Sequence, residues 1–127
     1  MNIKLQTNTE DPKLEFLIIE KYDDQSGFGS TISVVSNGFS SKVFATFEQW
    51  PMSEFISQLQ VCNNYLSGSA TLKPQWDNWF ITFTVKPNGH VVVNGLLCAY
   101  EQELKFEFTT DQTCLNSLIK DFQLWGN

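Results

Sequence analysis

KFEFTTDQTCLNSLIKDF, residues 105–122, passes from the alternation of a strand to the spacing of a helix within a few residues. Leu104, Phe106 and Phe108 face one way while Lys105, Glu107 and Thr109 face the other, the pattern of an antiparallel sheet with one wet side. From Leu115 onward the spacing is helical, and Leu118, Ile119, Phe122 and Trp125 fall on the same side. A strand that runs straight into a helix at the end of a series of hairpins belongs to an α+β domain and not to alternating βαβ units.

Working back from this joint, the preceding segments fit the same plan. A turn at Glu101-Gln102 leads back to HVVVNGLLCAY, and Pro87-Asn88-Gly89 connects that run to WFITFTVK (Trp79 to Lys86). In this last run Trp79, Ile81, Phe83 and Val85 share a face. A short strand is expected around Ala70 to Leu72. Before it, Pro51 opens a helix with Met52, Phe55, Ile56, Leu59, Cys62 and Leu66 in one apolar stripe, and Gly68 is the expected stop. Further back, Ser30–Ser36 and Ser41–Glu48 flank Asn37-Gly38, a dipeptide that accepts the positive φ angles of a tight hairpin. Leu14 to Tyr22 is a further strand, followed by the loop DDQSGFGS; residues 1–12 form a polar, loosely ordered lead-in. No sequence repeat or linker interrupts this order. The expected fold is one α+β domain over residues 1–127, an antiparallel β-sheet with two helices packed on one face in two layers.

Composition narrows the function. At 42% hydrophobic residues, with 11 phenylalanines, the chain can fill an aromatic core and is not a disordered polypeptide. No apolar run is long enough to span a bilayer, and Met1 to Asp11 lacks the features of a signal peptide, so a cytoplasmic location and no membrane partner are expected. Fourteen acids face eight lysines, no arginine is present, and the net charge is −6. Direct nucleic-acid binding depends on Lys and Arg at the phosphates and is not expected; a basic protein is the better-matched partner.

Candidate chemistry is sparse. Cys62, Cys98 and Cys114 are widely spaced, no CxxC pair occurs and the chain has one histidine, so neither a metal site nor a disulfide framework is expected, and no cofactor. Cys114 near a helix start, with His90 as base, has the outline of an activated nucleophile. Its place beside the apolar stripe and the nearby Asp111 favour packing instead, and the chain is read as non-catalytic. At the joint itself, Thr109 with Gln112 fits a capping box, with Thr110 and Asp111 as alternative caps. Asp23 and Asp24 lie in a Ser/Gly loop without the alternating ligand pattern of a calcium loop. Trp76-Asp77-Asn78-Trp79 places two tryptophans around a turn, where either, if exposed, would anchor a partner.

Taken together, the helix MSEFISQLQVCNNYLSGSATL, the strand WFITFTVK, the unit NGHVVVNG and the terminal LKFEFTTDQTCLNSLI resemble the WapI-type immunity proteins of bacterial contact-dependent toxin systems. The resemblance spans about Ser30 to Phe122. Its most specific parts are Gly-His-Val-x-Val-x-Gly at Gly89 to Gly95 and Phe-x-Thr-Asp-Gln-Thr at Phe108 to Thr113. The resemblance implies a small acidic cytoplasmic protein that binds and neutralises a cognate toxin domain, commonly a nuclease, encoded nearby. Loop position, charge and aromatic character together select Asp23, Asp24, Trp76, Asp77, Trp79, Glu101 and Glu103 as candidate partner-binding residues. A small-ligand or protein-binding module without catalytic activity is the alternative.

Overall fold

The structure is a computed structural model that describes residues 2–5, 7 and 10–126, with side chains to residue 124. Trp125, expected on the apolar stripe of the last helix, has its side chain outside the described residues. In chain order the elements are β1 (Ile3–Leu5), β2 (Lys13–Lys21), β3 (Gly27–Ser36), β4 (Phe39–Glu48), α1 (Gln49–Tyr65), β5 (Gly68–Leu72), β6 (Phe80–Val85), β7 (His90–Ala99), β8 (Gln102–Asp111) and α2 (Gln112–Gly126).

The α+β class and the antiparallel pairing are as expected. The strands, however, divide into two four-stranded sheets, β1-β2-β3-β4 and β5-β6-β7-β8, each a simple meander followed by its own helix. The chain is therefore two successive ββββα units, a repeat of architecture without a repeat of sequence. The fourth strand of the first sheet comes from the lead-in. Ile3 pairs with Phe16 and Leu5 with Leu14, and both Ile3 and Leu5 are buried, so two apolar residues among polar neighbours are enough to close that sheet.

Turn chemistry sets the register of the hairpins. Ser36 pairs with Phe39 across Asn37 (φ 53°) and Gly38 (φ 84°), a two-residue turn that requires positive φ at both central positions. Between β7 and β8 the turn is Tyr100-Glu101, because Ala99 pairs with Gln102; it lies one residue before the expected Glu101-Gln102. The end of α1 also differs. Leu66 takes the left-handed conformation (φ 51°) and Ser67 N–H donates to the Cys62 carbonyl, so the helix has already stopped when Gly68 opens β5.

At the joint between β8 and α2 the cap is Asp111, whose carboxylate accepts the Cys114 backbone N–H at 3.2 Å. Thr109 is still within β8, paired with Val92, and Gln112 reaches across to donate to the Asn63 carbonyl. The Thr109–Gln112 capping box does not form, because the strand continues two residues further than the box requires.

One cluster of buried apolar side chains draws on all ten elements. Its aromatic members connect the two units: Phe122 of α2 lies edge-on to Phe16 of β2 (5.2 Å) and to Phe55 of α1 (6.4 Å), and Phe55 leads to Phe83 of β6 (5.8 Å). The last helix thus packs its Phe122 on the first sheet and on α1, rather than chiefly on the strand that precedes it. Where α1 and α2 meet, Asn63 donates to Asn116 at 2.5 Å and Gln123 to Gln60 at 3.1 Å.

Candidate functional site

Two of the loops that carry selected residues are tied to the end of β4 and the start of α1. The loop after β2 is fastened there by Gln49 N–H to the Ser26 carbonyl (2.9 Å), and the loop between β5 and β6 by Gln75 N–H to the Thr46 carbonyl (2.8 Å). Within the first loop the Asp24 carboxylate accepts the Ser26 N–H at 3.0 Å. Hydrogen bonds from Ser26, its hydroxyl first and then its backbone N–H, hold the Asp24 carboxyl below the ordinary aspartate range. Asp23 and Asp24 are both exposed.

The β7–β8 hairpin adjoins the second of these loops. Cys98 pairs across the hairpin with Glu103, and its thiol is pushed up first by burial and then by the carboxylates of Glu103 and Asp77. The charges of Asp77, in the loop before β6, and of Glu103, at the start of β8, thus both bear on Cys98. Glu101 is exposed at the turn beside Tyr100, which projects fully into solvent.

The two tryptophans part company. Trp76 is 79% exposed, whereas Trp79 is 1% exposed and packs edge-on against Phe47 at 6.1 Å. Trp79 continues the inward face of Ile81, Phe83 and Val85, so it belongs to the core and is withdrawn as a partner-binding residue. The sequence reading omitted Trp50 (71% exposed) and Glu48, which lie where β4 meets α1, directly beside the tethered Ser26. Trp50 stands one residue before Pro51 and outside the apolar stripe of α1, and that position was the available signal.

His90 and Cys114 do not have the setting of a reactive pair. His90 is exposed, with its backbone N–H on Asn88 Oδ1 and its carbonyl on Lys86 N–H, which are turn-closing roles. Cys114 is buried within the apolar cluster. Among the described residues no group of His, Cys, Asp and Glu is placed to hold a metal ion, and no helix is long and apolar enough to cross a membrane. A groove of about 570 Å³ runs between α1 and the edge strand β5, lined by Phe55 and Val61 together with Glu54, Gln58 and Lys73.

The model of the immunity protein WapI-like family matches residues 4–124, nearly the whole of both ββββα units. The chain belongs to this family. The match begins within β1, and so extends the resemblance seen in the sequence back through most of the lead-in. No curated protein matches the WapI-like chain. Among solved structures it is similar to a chain from crystal structures of Trypanosoma bruciei MRP1/MRP2, with a TM-score of 0.56 and 7% identity over 98% of this chain and 81% of that one. At that identity the likeness is one of fold alone.

Proposed function

We propose that this WapI-like protein binds and neutralises a cognate toxin domain, a basic nuclease encoded nearby, by covering its cationic substrate groove. The observation that carries the proposal is the tying of two acidic loops to the end of β4 and the start of α1, one with Asp23 and Asp24 exposed and the other with Asp77 beside an exposed Trp76, while Glu101 and Glu103 add exposed carboxylates on the β7–β8 hairpin. Carboxylates held on short loops of a rigid sheet steer a cationic partner and compete with its phosphate substrate for the same groove. An exposed Trp supplies large contact area at little cost in side-chain entropy.

The protein acts by occlusion, without catalysis. Family membership supports this reading, as does the burial of Cys114 within the apolar cluster.

Co-expression supplies the test. The toxin domain encoded beside this chain should arrest growth when expressed alone and be tolerated when the chain is present, and the two should co-purify. Growth arrest that persists with the chain abundant and folded would remove the immunity role. A toxin domain that is itself acidic would remove the electrostatic part while leaving the immunity role in place.

A further inference from the structure

On the outer face of the first sheet, two aromatic side chains lie across a glycine. Gly29 lies near the start of β3, directly opposite Thr46 of β4 and Glu20 of β2. A Cβ added there would stand 2.8 Å from Phe44 Cζ and 2.8 Å from the Tyr22 hydroxyl oxygen. Tyr22 therefore crosses the strand above Gly29 and shares a hydrogen bond with Thr46 Oγ1 at 3.0 Å. Phe44, two residues before Thr46 on the same face, leans over the same glycine.

This support does not bury the rings: Phe44 is 64% exposed and Tyr22 36%. A ring already fixed by its strand and its neighbour has little freedom left to lose, so a partner that covers it gains contact at low ordering cost. The charges around it select the partner. Glu20 stands opposite Gly29, Asp23 and Asp24 follow Tyr22, and Glu48 is the next residue beyond Thr46 on that face. Against these four carboxylates stand Lys21 and Lys42, while Lys13 is ion-paired with Glu15 (3.0 Å) and Glu10 (3.2 Å).

We infer that Phe44 and Tyr22 form the anchoring platform of the toxin interface and receive an arginine side chain of the toxin domain, stacked on Phe44 and paired with the surrounding carboxylates. This rests on the toxin-binding reading above and names its anchor. Guanidinium is planar, stacks on aromatic faces and is weakly hydrated, so an aromatic floor among carboxylates suits it better than a compact ammonium. The platform is continuous with the proposed loops, because the Thr46 that holds Tyr22 also accepts Gln75 N–H from the Trp76 loop.

The experiment measures dissociation of the catalytically inactivated toxin domain encoded beside this chain from the parent, Phe44→Ala and Phe44→Leu, with melting temperatures in parallel. Phe44→Ala should speed dissociation about tenfold or more, as loss of a central aromatic anchor does, and should melt close to the parent because the ring is mostly wet. Phe44→Leu keeps apolar area but has no π face, and should behave like Phe44→Ala. Dissociation of Phe44→Ala indistinguishable from the parent overturns the platform and leaves the immunity reading standing. Parent-like dissociation of Phe44→Leu overturns the arginine occupant. A parent that binds no such domain overturns both readings.

Discussion

Asp11 holds Gly38: the carboxylate accepts the Gly38 backbone N–H at 2.6 Å, and its other oxygen accepts the Asn37 N–H at 2.8 Å. One side chain from the segment before β2 thereby closes over the turn between β3 and β4. The lead-in is fixed at both ends, by this clamp and by the pairing of β1 with β2.

The clamp makes a stability prediction. Asp11→Ala should destabilise the protein by about 1 to 2 kcal/mol, around the lower bound for hydrogen bonds to a charged acceptor, because the exposed turn N–H groups can turn to water instead. Asp11→Asn retains one acceptor oxygen and should recover part of the loss. Urea unfolding gives the comparison, and an Asp11→Ala midpoint equal to the parent's would show that the clamp contributes nothing.

The cap of α2 separates two residues that look equivalent in the sequence. Asp111→Ala removes the acceptor of the Cys114 N–H and should cost about 1 kcal/mol, whereas Thr109→Ala leaves the cap in place and should cost less. Thermal melts of the two variants decide between them. A larger loss for Thr109→Ala would mean that the strand ends earlier and the capping box forms after all.

Periodicity was legible where a single face is buried. The alternation that put Trp79 in phase with Ile81, Phe83 and Val85 already contained its burial, and Trp76, three residues earlier in a loop, was free of that constraint. The division into two sheets was not legible, because strand pairing is long-range information and both meanders look locally alike. Nor was β1, whose three residues carry too little alternation to stand out from a polar segment. The Phe44–Tyr22 platform escaped for another reason: Phe44 is out of phase with the buried Val43, Ala45 and Phe47, and only the absence of a side chain at Gly29, on the strand between Tyr22 and Phe44, brings the rings together.

Phe122 offers the strongest core test. It touches both Phe16 and Phe55 and so joins the first sheet, α2 and α1. Phe122→Ala should cost about 3 to 5 kcal/mol, the range for deleting a fully buried Phe, which is a large share of a small domain's stability. Calorimetry should show the melting temperature falling sharply. A parent-like melt would mean that α2 is not packed between the first sheet and α1.

The last prediction concerns the interface charges. Surface carboxylates act on a partner before contact, so Asp23→Asn with Asp24→Asn, or Glu101→Gln with Glu103→Gln, should slow association of the toxin domain and flatten its dependence on salt while changing dissociation little. Trp76→Ala should act in the opposite manner, speeding dissociation, because its exposed ring makes contact only in the complex. Acid titration adds a sign. Because its folded-state pKa is depressed, Asp24 remains charged, and keeps its small contribution to folding, throughout the range above the unfolded aspartate value; both are lost only as pH falls through the lower folded value. Association measured while lowering the pH should therefore keep the contribution of Asp24 until the pH falls below the ordinary aspartate value. Stopped-flow mixing at two salt concentrations provides all of these constants, and association indifferent to both salt and the carboxylate changes would remove electrostatic steering from the mechanism.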